Sequence, residues 1–82
     1  MPLQPADLQA HRIAQGVSLQ QIARATMIGA RYLEAIERGA FDKLPGGIYT
    51  TSYIRQYARA TGCDEAALLD YYREVSAAHQ SD

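Results

Sequence analysis

Cysteine is nearly absent. Cys63 is the only one in 82 residues, so no intrachain disulfide can form and nothing points to an oxidising compartment. Long apolar runs are missing too: the longest stretch, Ala-Ala-Leu-Leu at 66–69, is far short of the roughly 20 residues that cross a bilayer. The start, Met-Pro-Leu-Gln-Pro-Ala-Asp, has neither the basic region nor the apolar core of a signal peptide, so the expected compartment is the cytoplasm. A surplus of positive charge is lacking. Eight Lys and Arg stand against nine Asp and Glu, a net charge of −1, whereas a domain held to nucleic acid through its phosphates usually carries a basic face. No repeat or low-complexity run is present. Serines, acids and histidines are scattered without the nucleophile, base and orienting group that catalysis needs, so neither an enzyme nor a small-molecule substrate is expected. His11 and His79 are far apart and no Cys or His pair has ligand spacing, which speaks against a metal; no cofactor is expected. His11, three residues after Leu8, reads as a helix histidine at the edge of the core.

What is present is an amphipathic pattern of helical period. Hydrophobic residues make up 48% of the chain, enough for one modest core and too many for a disordered chain. Ser18 with Gln21 three residues on forms a capping-box signature, and Leu19, Ile22 and Ala23 follow on one face. The sequence 26–29 (Thr-Met-Ile-Gly) breaks the period. A second amphipathic helix over 29–38 then places Leu33 and Ile36 inward and Arg31, Glu34 and Arg38 outward, with Gly39 placed to close it. Helix, tight turn with a glycine, helix is the helix-turn-helix pattern, whose second helix often enters the DNA major groove.

Around this centre, 5–15 reads as a first helix with Leu8 and Ile13 as its main apolar residues. The loop 40–47 is rich in Pro and Gly but precedes no phosphate-loop signature, and Phe41 and Leu44 are expected to fold back onto the core. A fourth helix runs from about 48 to 60 with Ile54, Tyr57, Ala58 and Thr61 inward, closed by Gly62. A fifth starts after the N-cap Asp64 and buries Leu68, Leu69 and Tyr72, while Cys63 between them reads as a small buried hydrophobe. The expected fold is all-α, a five-helix helix-turn-helix bundle of the phage-repressor type. It fills 1–75, with 76–82 as a flexible tail.

Two surfaces offer themselves. Tyr49 and Tyr53 stack one turn apart beside Arg55 and Arg59, a composition typical of protein-interface anchors. The second is the 29–38 helix as a reader of double-stranded DNA, with Arg31 near its start gripping guanine or phosphate. That surface comprises Gln20, Ala30, Arg31, Glu34 and Arg38. Its count over 18–39 is three arginines against two glutamates, only +1, and Glu34 would face phosphate oxygens.

The segments 8–16, Val17-Ser-Leu-Gln-Gln-Ile-Ala23, Arg31-Tyr-Leu-Glu-Ala-Ile-Glu37, Phe41-Asp-Lys-Leu-Pro-Gly46, Tyr53-Ile-Arg-Gln-Tyr-Ala-Arg59 and the helix 64–72 resemble the N-terminal cytoplasmic domain of the RodZ family of bacterial cell-shape proteins. The resemblance covers roughly 8–72 and is most specific in its last third. The Xre or phage-repressor DNA-binding domains are broader relatives, matched mainly by 17–39; they often have Gln where this chain has Leu19. The RodZ resemblance implies a cytoplasmic adaptor that binds the actin-like protein MreB through the aromatic positions Tyr49 and Tyr53, with Arg55 and Tyr57 assisting. RodZ proteins carry a transmembrane helix and a periplasmic part after this domain. This chain has neither, so it is expected to be an excised domain or a small stand-alone relative, making no membrane contact itself. The alternative is a DNA-binding transcriptional regulator.

Overall fold

The computed structural model describes residues 5–80. Among them the chain forms five helices: α1 (Pro5–Ala14), α2 (Leu19–Thr26), α3 (Ala30–Arg38), α4 (Gly47–Thr61) and α5 (Glu65–Gln80), with one tight helical turn at Phe41–Lys43. No strand occurs among the described residues.

The capping box forms as the sequence implies. Ser18 Oγ accepts from the Gln21 N–H at 3.1 Å, and Gln21 Oε1 accepts from the Ser18 N–H at 2.8 Å, so two first-turn donors are satisfied locally. The turn between α2 and α3 is closed differently from the expected glycine. Met27, not Gly29, takes the left-handed conformation (φ 63°), and Gly29 has an ordinary φ of −58°. Thr26 holds this turn: its hydroxyl donates to the Ile22 carbonyl at 2.7 Å and accepts from the Ile28 N–H at 3.2 Å. Gly39 does adopt φ 73° and ends α3, its N–H reaching the Ala35 and Ile36 carbonyls.

The core takes Leu8 from α1, Ile22 from α2, Leu33 and Ile36 from α3, Ile54, Tyr57 and Ala58 from α4, and Leu68 and Leu69 from α5. Phe41 and Leu44 fold back beneath it, and Phe41 meets the Tyr71 and Tyr72 rings edge-on at 5.5 and 5.2 Å. Tyr72, expected to be buried with Leu68 and Leu69, is only half-buried at the edge of Phe41, and two other apolar side chains stand further out than their neighbours. Ile13 is 60% exposed, because five residues after Leu8 a helix has turned by about 140° and α1 presents Leu8 and Arg12 inward instead. Cys63 is only half-buried. The fifth helix is capped by Asp64, whose Oδ1 accepts from the Ala66 and Ala67 N–H groups, and it continues to Gln80, past the boundary at 75; residues 81–82 lie outside the described residues.

Candidate protein-binding face

The face is built on α4, and α4 is fixed from within. The Gly46 N–H donates to the buried Thr50 hydroxyl at 2.8 Å, which ties the Pro-Gly-Gly bend to the first turn of α4. Deeper in, Glu37 of α3 joins three helices. Its carboxylate takes a two-pronged grip from Arg12 of α1 (Nε–Oε2 2.7 Å, Nη2–Oε1 3.0 Å) and accepts from the Tyr57 hydroxyl of α4 at 3.0 Å. Arg12 also donates to the Val17 carbonyl at 3.0 Å, so the cluster fixes the link from α1 to α2 as well. The hydrogen bond to Glu37 raises the Arg12 pKa. Burial, reinforced by the charge on Glu37, pushes the Tyr57 phenol far above its usual value, so Tyr57 is a neutral donor.

This locks the outer side of α4 in place. Ile48 is 79% exposed and Tyr49 62% exposed, side by side at the start of the helix. Tyr53, one turn on, is half-buried because its ring rests on Tyr32 of α3 with centroids 5.7 Å apart. Arg31 lies over the far side of that contact, its guanidinium carbon 4.8 Å from the Tyr32 centroid and its Nη2 donating to the Tyr32 hydroxyl at 3.1 Å. Further along, Ser52, Arg55, Gln56 and Arg59 line a shallow groove with Ile48 and Thr51.

Of the four residues expected on this surface, Tyr49 and Tyr53 lie on the flank of α4 toward α3, where Tyr53 meets Tyr32, whereas Arg55 lies on the opposite flank, where it meets Glu65 of α5. Tyr57 lies on neither. It is fully buried with its hydroxyl on Glu37, because position 57 continues the inward stripe of Thr50, Ile54 and Thr61, and it cannot touch a partner. Sequence reasoning missed Ile48 and Tyr32. Ile48 was legible as an apolar residue beside Tyr49 just after a Gly-Gly bend, whereas the Tyr32 contact depends on how α3 crosses α4.

The alternative surface is exposed as well: Gln20, Ala30, Arg31, Glu34 and Arg38 all face outward. Its charges are already engaged, since Glu34 pairs with Arg38 one turn away and Arg31 is folded onto Tyr32. His11 is half-buried near Gly62, its enclosed Nε2 without a hydrogen-bond partner. Among the described residues no three metal-ligating side chains converge, and no helix is long and apolar enough to cross a membrane.

Residues 7–68 match the model of a family described as a helix-turn-helix domain. The chain is 42% identical over 65 residues to the cytoskeleton protein RodZ of Streptococcus pneumoniae, covering 79% of this chain and 24% of that protein. It is 40% identical over 58 residues to the uncharacterized membrane protein YmfM of Bacillus subtilis, covering 71% of this chain and 20% of that protein. The chain thus spans about a quarter or less of the length of these relatives. No solved structure matches it. With the family model running from α1 to the first turn of α5, most of the chain, the protein belongs to the helix-turn-helix domain family and is RodZ-like within it.

Proposed function

We propose that this domain is a non-enzymatic cytoplasmic adaptor that binds an actin-like filament protein of the MreB kind through the outer side of α4. Tyr49 and Tyr53 are the anchors, with Arg55 assisting from the other flank of the helix. The observation that carries this reading is the exposed pair Ile48 and Tyr49, 79% and 62% open to solvent on a helix that the inner cluster holds rigid. A large aromatic presented at little further entropy cost is the usual form of an interface hot spot. The similarity to a cytoskeleton protein supports the choice of partner. Duplex DNA is disfavoured by the net charge of −1 and by the exposed Glu34 carboxylate, which would face phosphate oxygens.

The test is co-sedimentation with polymerised MreB from the same organism. Saturable pelleting is expected, and replacing Tyr49 and Tyr53 together by Ala should weaken it by on the order of 2 kcal/mol, roughly thirtyfold. A well-folded domain that stays in the supernatant, yet forms a salt-sensitive duplex complex lost on Arg31→Ala, would replace this reading with the DNA-binding one.

A further inference from the structure

The α4 helix carries Arg55 and Arg59 and no acidic residue, in a chain whose net charge is −1. Both arginines turn to a single carboxylate on the next helix. Arg55 Nε lies 3.5 Å from Glu65 Oε1, and Arg59 Nε lies 3.3 Å from Glu65 Oε2. Two cations sharing one anion leave one positive charge unbalanced. Both contacts are longer than a well-formed charged hydrogen bond, and the two arginine side chains remain 52% and 70% exposed. The same arginines line the groove whose other end is Ile48, about 16 Å away along the helix axis.

From this geometry we infer that Glu65 is an internal stand-in for a carboxylate of the bound protein. The groove on α4 takes an acidic segment of the partner: an apolar side chain rests on Ile48, and a carboxylate displaces Glu65 from Arg55 and Arg59. Charge complementarity selects this occupant, since an α4 face with cations at one end and exposed apolar side chains at the other repels a basic segment and gains little from a purely apolar one. Glu65 keeps the arginines extended along the groove in the free domain, and an exposed pair of this kind is weak enough to be exchanged. The inference rests on the adaptor reading and adds the chemistry of the partner's contact patch and the role of a residue on α5.

The experiment measures affinity for polymerised MreB across a range of salt, for the parent chain, Glu65→Gln, and the double variant Arg55→Gln with Arg59→Gln. Glu65→Gln frees both arginines, so binding should tighten by about two- to fivefold at low salt. Its affinity should also fall more steeply as salt rises. The double arginine variant should bind roughly tenfold more weakly at low salt and converge on the parent at high salt. Circular dichroism establishes that each variant is folded, and Arg59→Gln alone, which leaves the Arg55 pair intact, should fall between parent and double variant. Unchanged or weaker binding by folded Glu65→Gln overturns the stand-in role. If Tyr49→Ala with Tyr53→Ala still abolishes pelleting in that case, the adaptor reading stands and only this inference falls. A parent chain that never pellets removes both.

Discussion

Replacing Arg12 by Met should remove a large part of the stability of this domain. At roughly 0.05–0.15 kcal/mol per residue, a chain this size has about 4–12 kcal/mol in total. The side chains of Arg12 and Glu37 are only 12% and 7% exposed, so the pair is nearly dry. Without Arg12, Glu37 keeps a single partner, the Tyr57 hydroxyl at 3.0 Å, and its charge is left buried and uncompensated. Breaking a buried pair from one side costs about 3–5 kcal/mol. The Val17 carbonyl also loses its donor, loosening the junction of α1 and α2. Urea unfolding followed by circular dichroism reads the loss as a shift of midpoint at nearly constant slope. Tyr57→Phe, which removes one hydrogen bond to a charged acceptor, should cost about 1.5–3 kcal/mol. Because both variants act on Glu37, the double variant should fall well away from the sum of the two. By contrast, changing Arg12, Glu37 and Tyr57 together to Leu, Leu and Phe leaves no charge buried and unpaired, only the Val17 carbonyl without its donor, and should be much closer to the parent in stability than Arg12→Met. An Arg12→Met chain within about 1 kcal/mol of the parent would refute the claim that this cluster ties α1, α3 and α4 together.

Two further outcomes follow from the same structure. Tyr57 stays protonated in the fold at a pH where it ionises in the unfolded chain, because burial and the charge on Glu37 both oppose the phenolate. Above pH about 10 the unfolded state therefore binds fewer protons than the native one, and unfolding free energy should fall by up to about 1.4 kcal/mol per pH unit, with the full contribution present below that pH. Tyr71 acts in the same direction, so the readout is the difference in alkaline slope between parent and Tyr57→Phe; identical slopes would sink it. Met27 sits at φ 63° and is 88% exposed, so glycine there relieves left-handed strain without losing packing. The relief of about 1–2 kcal/mol, less about 0.4–1 kcal/mol for the looser unfolded chain, predicts Met27→Gly to be more stable by about 0.5–1 kcal/mol. A thermal melt should rise by a few degrees, and a lower midpoint would show that Met27 makes interactions its exposure conceals.

The helices and most of their faces were legible because periodicity reports what is apolar: Ile22, Leu33, Ile36, Ile54 and Leu68 are all buried as the pattern requires. The failures share one cause. A polar side chain can occupy an inward position when a partner waits for it, and a sequence shows the partner only after the fold is known. Leu33, Ile36 and Glu37 follow the i, i+3, i+4 spacing of an inward stripe, and Arg12 is four residues after Leu8, so the two charges stood at core positions of their helices. Naming Leu8 and Ile13 as the main apolar residues of α1 followed hydrophobicity, where geometry turns Leu8 and Arg12 inward. Tyr57 was visible both as an inward residue of α4 and as part of a tyrosine cluster; the stripe of Thr50, Ile54 and Thr61 decides for the interior, and Glu37 satisfies its hydroxyl there. Tyr32 and Met27 depend on how α3 crosses α4 and on the backbone of one turn, and neither leaves a periodic trace.

On the proposed reading, the helix-turn-helix architecture leaves the binding role to α4. In a DNA reader the second helix of the motif must present free donors and positive charge to the groove. Here that helix, α3, is occupied on both sides. Its inner side holds α1 and α4 through Glu37, and its outer side pairs Glu34 with Arg38 while Arg31 is drawn down over Tyr32. Tyr32 then supports the ring of Tyr53 from beneath. The Glu37 and Tyr32 contacts of α3 therefore add rigidity to α4, whose start leaves Ile48 and Tyr49 open. A motif organised in this way is a platform for the neighbouring helix. Unpairing Glu34 and Arg38 by Glu34→Gln should consequently leave filament binding alone, while removing the Tyr32 ring should weaken it through Tyr53.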